Sequence, residues 1–191
     1  MSLSPTQRVL GVQRLSVHFV RNLAFHRAAR DAEKKRTTPN EMFWRLIDGD
    51  FIDVAVLDWC KLLGEKPYAL LKRPPKSPSK YGWEHVVSVT MHEDSSKFRV
   101  AMLQHLEMNE SEFEKHRIQV RVFRDKFVAH LDDQDEYVVP NFDVPLKAAI
   151  FLFEYVTSWA QTERLKVFAG GLEKEYEKIL SGARETYGKL A

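Results

Sequence analysis

The chain has 191 residues, 44% of them hydrophobic and 29% charged, which is enough for one folded domain with a buried core. The net charge of +2 at pH 7 excludes a strongly basic protein, so affinity for nucleic acid requires local clusters of charge. One cysteine excludes an internal disulfide, no secretory signal is visible, and the most apolar run, residues 148–153, is far below the roughly 20 residues that span a bilayer. We therefore expect a single domain over residues 1–191, located in the cytoplasm and without membrane contact.

The spacing of apolar and capping residues predicts an all-α, multi-helix bundle. Ser4 before Pro5 predicts the start of the first helix, whose end carries a basic cluster within residues 27–36. Thr38 and Glu41 fit a capping box at the start of a second helix that runs to Gly64. Four aspartates of this helix have no histidine or glutamate at metal-ligand spacing, so we interpret them as its solvent-exposed face. They are Asp48, Asp50, Asp53 and Asp58.

Residues 66–80 form a proline- and lysine-rich loop. They contain four of the eight prolines, which exclude a helix there, and several basic residues with no acidic one. Aromatic residues flank the segment, and basic charge interleaved with aromatic rings is typical of single-stranded nucleic-acid binding. A surface loop kept soluble by lysine is the alternative interpretation. The candidate nucleic-acid-binding residues of the loop are Lys72, Arg73, Lys76 and Lys80.

Further helices are predicted in the second half of the chain. Residues 84–91 favour a short helix, and Asp94 and Asn109 are the expected N-caps of the next two. Asp143 begins a strongly apolar helix that should lie centrally in the bundle or at a subunit interface, with a continuation that ends at Gly170 and Gly171. Residues 172–190 are expected to form the last, amphipathic helix.

The most informative stretch is the end of the helix that starts after Asn109. Its apolar residues recur at helical spacing and predict one buried face, formed by Phe113, Val120, Phe123, Phe127 and Leu131. A second face is expected to carry Arg117, Arg121 and Arg124, of which Arg121 is a further candidate nucleic-acid-binding residue. His130 falls near the last turn, just before the acidic run at residues 132–136.

The stretch Arg124-Asp125-Lys126-x-x-Ala129-His130-x-Asp132 resembles the signature of the HEPN superfamily, especially its abortive-infection branch. In that signature a histidine follows an arginine by five to seven positions, late in a helix of an all-α bundle. The close resemblance covers the nine residues 124–132 and implies a HEPN-like fold.

The resemblance also implies an activity. It predicts a homodimer whose two motifs face each other across a cleft and act as a metal-independent endoribonuclease on RNA, in phage defence or as a toxin. Arg124 and His130 are then catalytic, and Asp125 orients them. No metal and no cofactor are expected, and an antitoxin or another protein is a further candidate partner. The residue types suit this chemistry, because histidine titrates near neutral pH and an arginine fork matches two phosphate oxygens.

Alternatives to this site stay open. The same spacing occurs from Arg21 to His26 and from Arg99 to His105, although the Ala-His-x-Asp ending favours the later motif. A purely structural arginine–histidine–aspartate cluster is the other interpretation of the motif, in a non-catalytic helical module that binds nucleic acid or protein. A metal site is not predicted, because the seven histidines lack ligand spacing.

Overall fold

The computed structural model describes residues 3–35, 41–64, 82–128 and 138–189, and within residues 41–48 and 127–128 only the backbone. Every regular element in these ranges is helical, which confirms the all-α prediction. The proline- and lysine-rich loop and the Thr38 cap lie outside the described residues. Of the helices in these ranges, none is both long enough and apolar enough to cross a membrane.

Seven helices follow one another along the described chain, and two of them continue as a π-helical turn. Helix α3 runs on over Val86–Thr90, and α5 runs on over Arg124–Val128. The helices are α1 (Pro5–Glu33), α2 (Glu41–Leu62), α3 (Trp83–His85), α4 (Ser95–His105), α5 (Glu110–Phe123), α6 (Asp143–Thr162) and α7 (Leu172–Gly188).

The predicted N-caps close the starts of α1, α4 and α5. The Ser4 hydroxyl accepts a hydrogen bond from the backbone N–H of Gln7, whose side chain accepts one from the Ser4 N–H. The Asn109 amide oxygen and Glu112 form the same reciprocal pair at α5, and Asp94 accepts from the N–H of Ser96 at α4. These side chains accept hydrogen bonds from N–H groups that have no partner within the helix. Because such caps depend only on neighbouring residues, the starts of these helices could be predicted from the sequence.

Helix α1 lies in the middle of the bundle and packs against α2, α6 and α7. Its side chains Phe19 and Val20 are fully buried in the same core as Trp59 of α2. The indole N–H of Trp59 donates to the carbonyl of Pro145 at 3.0 Å. Helix α6 buries a row of apolar side chains that includes Leu152. This agrees with the central position that its strongly apolar sequence predicted. The core therefore joins the first half of the chain to the second.

The predicted continuation of α6 to Gly170 is wrong, because the helix ends at Thr162. Arg164 adopts a left-handed conformation with φ of 56°, and the N–H of Leu165 donates to the Ala160 carbonyl at 2.8 Å, which terminates the helix. The segment that follows is held to α1 by the buried amide of Gln13. That amide donates to the carbonyl of Phe168 and accepts from its N–H.

The predicted solvent-exposed face of α2 is wrong for Asp58, which is 3% exposed. Its carboxylate lies 2.5 Å from Nδ1 of His18 on α1 and 3.3 Å from Nζ of Lys61. Asp50 is exposed as expected, whereas burial first and the charge of Asp50 second raise the pKa of Asp53 to about 6. The side chain of Asp48 lies outside the described residues.

The predicted arginine face of α5 is wrong for Arg117, which is 2% exposed. Its guanidinium donates to the backbone carbonyl of Gly64 at 2.6 Å and to the carboxylate of Glu114 at 2.6 Å. Gly64 lies just after the end of α2, where a Cβ would be only 2.6 Å from the Cα of Cys60. A buried arginine thus ties α5 to the end of α2.

We expect Asp58→Ala to lower the free energy of unfolding by about 1–3 kcal/mol, because it removes a buried hydrogen-bonded carboxylate that links α1 and α2. Chemical denaturation at neutral pH measures this change. Asp50→Ala on the same helix is the matched control and should change stability by no more than about 0.5 kcal/mol. Equal effects of the two variants would contradict a structural role for Asp58.

Candidate functional site

The candidate site begins where α5 gives way to the π-helical turn at Arg124. The Arg124 Nε donates to Oδ1 of Asp125 at 2.7 Å, and Nη2 lies 2.5 Å from the same oxygen. The Arg124 side chain is 26% exposed and that of Asp125 is 51% exposed. The neighbouring carboxylate therefore holds the guanidinium in a fixed position at the protein surface.

Helix α2 lies behind this turn and places Cys60 beside the arginines. Burial raises the pKa of the Cys60 thiol to about 11, although the charges of Arg124 and Arg121 act to lower it. Burial acts to lower the pKa of Arg124. The hydrogen bond with Asp125 and the other interactions with Asp125 and Cys60 outweigh burial, so the pKa of Arg124 is raised. At neutral pH the site thus has a permanent guanidinium charge next to an uncharged thiol.

Positive charge is concentrated at this end of the helix, which we call the arginine end of α5 (Arg121, Arg124, Asp125 and Lys126). Arg121 is half-buried one turn before Arg124, and Lys126 is exposed. The arginine end of α5 therefore has three cationic side chains and one carboxylate. Such a surface attracts a phosphate group, and a π-helical turn is a feature often found at functional sites.

The structure brings two of the three predicted catalytic residues, Arg124 and Asp125, into direct contact. His130 lies outside the described residues, so its position relative to Arg124 stays a prediction. The same holds for the loop candidates Lys72, Arg73, Lys76 and Lys80, whereas Arg121 is at the arginine end of α5 as described above.

Two other arginine–histidine pairs match the spacing of the motif, Arg21 with His26 and Arg99 with His105. Arg21 is exposed whereas His26 is 7% exposed, so the first pair does not present both groups to solvent. Arg99 donates through Nε to the carboxylate of Glu110 at 2.6 Å, which links α4 to α5. Its partner His105 is exposed, and its ring lies 5.1 Å from another aromatic ring of the bundle. The preference for the later motif stays a prediction, because His130 lies outside the described residues.

An exposed apolar pair lies next to the arginine end of α5. Ile118 is 47% exposed and Val122 is 45% exposed, and the two are one helical turn apart. Sequence patterning does not distinguish this pair, because the same helix also buries an apolar face. In the described part of the chain, no three His, Cys, Asp or Glu side chains are grouped so that they could hold a metal ion.

We expect Cys60 to react with iodoacetamide about 100-fold more slowly in the folded chain than in the urea-unfolded chain at pH about 8, because raising the thiol pKa leaves little thiolate. Burial of the side chain acts in the same direction. Mass spectrometry of the alkylated chain over time measures both rates. Equal rates would contradict the position of α2 behind the arginine end of α5.

No protein-family model, no curated protein and no solved structure matches this chain. Its function therefore has to be inferred from the residues themselves and from their geometry.

Proposed function

We propose that this protein is a HEPN-like, metal-independent endoribonuclease of the cytoplasm that cleaves RNA as a homodimer. The observation that carries the proposal is the Arg124 guanidinium, which Asp125 fixes at a partly exposed helix end within the motif. His130 completes the proposed catalytic pair. A role in phage defence or as a toxin, with an antitoxin as partner, follows from the resemblance alone.

The proposed reaction uses the 2′-hydroxyl of RNA as the nucleophile. His130 accepts the 2′-hydroxyl proton while the 2′-oxygen bonds to the adjacent phosphorus, and the imidazolium then returns the proton to the departing 5′-oxygen. Arg124 binds the phosphate oxygens, which gain negative charge as the phosphorus becomes five-coordinate. The products are a 2′,3′-cyclic phosphate and a free 5′-hydroxyl, and no group beyond the RNA and the protein is consumed.

The homodimer is proposed from helix geometry. On an unbroken α-helix, side chains six residues apart point about 120° from each other, so one copy alone would bring Arg124 and His130 together poorly. Arg124 of one copy facing His130 of a second copy removes this difficulty. The exposed apolar pair Ile118 and Val122, immediately before the arginine end of α5, offers a surface for the second copy.

Asp125 is assigned an orienting role in this proposal. It engages Nε and Nη2 of Arg124 through a single oxygen, so the arginine is ordered before RNA binds. An ordered guanidinium loses less conformational freedom when a phosphate binds. Arg121 and the loop residues Lys72, Arg73, Lys76 and Lys80 are assigned to holding the strand.

The same ion pair favours a second candidate function, a non-catalytic module that binds nucleic acid or protein. Asp125 offsets part of the charge that a phosphate would meet at Arg124, which is the arrangement of a structural salt bridge. This candidate predicts binding that weakens with salt but no turnover.

We expect purified protein to cleave single-stranded RNA in the presence of EDTA, with His130→Ala lowering the rate by about 100-fold or more because the proton acceptor is lost. Gel analysis of labelled RNA measures the rate and identifies the cyclic phosphate ends. His105→Ala is the matched control and should retain full activity. Circular dichroism should show the same helical content in both variants.

Two outcomes would contradict this assignment. Equal cleavage by the protein and by His130→Ala would remove His130 from catalysis. Salt-dependent RNA binding without any cleavage would favour the non-catalytic module.

A further inference from the structure

A polar cleft of about 600 Å³ lies between the second half of α1, the segment that leads into α6, and α7. The arginine end of α5 does not line it. Its ionised side chains comprise four cations and two carboxylates, so the cleft carries an excess of positive charge. They are Arg27, Arg30, Lys34 and Arg184 with Asp31 and Asp143.

Three of the cations lie in a row at the C-terminal end of α1. Arg27, Arg30 and Lys34 are separated by three and then four positions, and Lys34 is the C-cap that follows the last helical residue, Glu33. Arg30 and Lys34 are both exposed, and the Arg30 guanidinium lies 3.8 Å from the carboxylate of Glu33. The row therefore presents its charge to a ligand in the cleft.

Two of the guanidiniums are fixed in place from different sides. Arg27 donates through Nη1 to the Tyr176 hydroxyl at 2.8 Å and through Nη2 to Asp143 at 2.6 Å. Across the cleft, Arg184 donates through Nε to the carboxylate of Asp31 at 3.0 Å. Both carboxylates are partly exposed, so the pairs are ordered without being sealed from a ligand.

A buried imidazole adds a further polar group to the cleft. His26 lines it and is 7% exposed, one position before Arg27. The opposite lining comes from the segment between Val139 and Phe142. With so many charged groups and few apolar ones, the cleft suits a multiply charged anion rather than a hydrophobic ligand.

We propose that this cleft binds the phosphate groups of a nucleotide or of an RNA strand. Arginine forks match the geometry of phosphate oxygens, and lysine adds a mobile point charge. The volume falls within the range of pockets that hold small ligands and nucleotides. Ordered guanidiniums reduce the loss of conformational freedom on binding.

The site does not depend on the proposed nuclease activity, because none of its residues belongs to the motif. Its lining segment does follow the motif along the chain, with Val139 nine positions after His130. A strand bound in the cleft would therefore contact a segment that lies a few positions after the motif in the sequence.

The test is isothermal titration calorimetry at low salt with three probes: inorganic triphosphate, adenosine triphosphate and a short 2′-O-methyl RNA that cannot be cleaved. We expect binding of at least one probe, and an affinity about ten-fold lower in Arg30→Gln/Lys34→Gln, because two cations are lost. Lys174→Gln/Lys178→Gln removes the same charge from exposed positions of α7 outside the cleft and should leave the affinity unchanged.

The probes identify the source of the phosphate. Tighter binding of adenosine triphosphate than of triphosphate assigns a nucleotide site, tightest binding of the RNA assigns a strand site, and equal binding assigns recognition of phosphate alone. Binding of no probe, or equal weakening in the cleft variant and in the α7 control, would overturn the proposal. His130→Ala should bind as the unaltered protein does, so failure of the nuclease and failure of the cleft are distinguishable.

Discussion

Helix α1 is buried along most of its length because α2 and α7 pack on it from two sides and α6 covers a third. Removing a large apolar side chain such as Phe19 from water contributes about 1.5–3 kcal/mol, and α1 does this repeatedly. The other helices are positioned by this one. Polar residues of α1 also bond to neighbouring helices: His18 contacts Asp58 of α2, and Arg27 contacts Asp143 of α6.

The position of α5 depends on a polar contact rather than on apolar packing alone. Arg117 reaches from α5 to the carbonyl of Gly64, where the absence of a side chain allows the chain to pass close to Cys60. This contact fixes α5 against the end of α2 one to two turns before the candidate site. Arg121 and Arg124 therefore emerge from an anchored helix, which is the condition for a guanidinium to be held ready for phosphate.

Two cationic surfaces result from this architecture, and they differ in how their charge is balanced. At the arginine end of α5 the single acid, Asp125, contacts the candidate catalytic arginine directly. In the cleft beside α1 the acids Asp31 and Asp143 order two arginines, and Arg30 and Lys34 add two further cations to the lining. The first surface suits chemistry at one phosphate, and the second suits retention of a ligand with several phosphates.

The features that the sequence predicted are those with local causes. The caps at Ser4 and Asn109 bond to N–H groups three residues away. Helical spacing also located the buried residues Phe113, Val120 and Phe123 of α5, whereas the Phe127 side chain and Leu131 lie outside the described residues. Asp58 and Arg117 were misassigned because their partners, His18 and Gly64, lie 40 and 53 positions away in the chain. Of the cleft, the sequence predicted only the basic cluster at the end of α1. Arg184 could not be assigned to it, because Arg184 is 153 positions from its partner Asp31 in the chain.

The central claim is that Arg124 of one copy acts with His130 of another. The most direct measurement mixes two inactive variants, Arg124→Ala and His130→Ala, under conditions that exchange subunits, and follows RNA cleavage. A shared site predicts that the mixture recovers activity well above either variant alone, because mixed dimers contain one intact arginine and histidine pair. A mixture that stays as inactive as its two components would contradict the account.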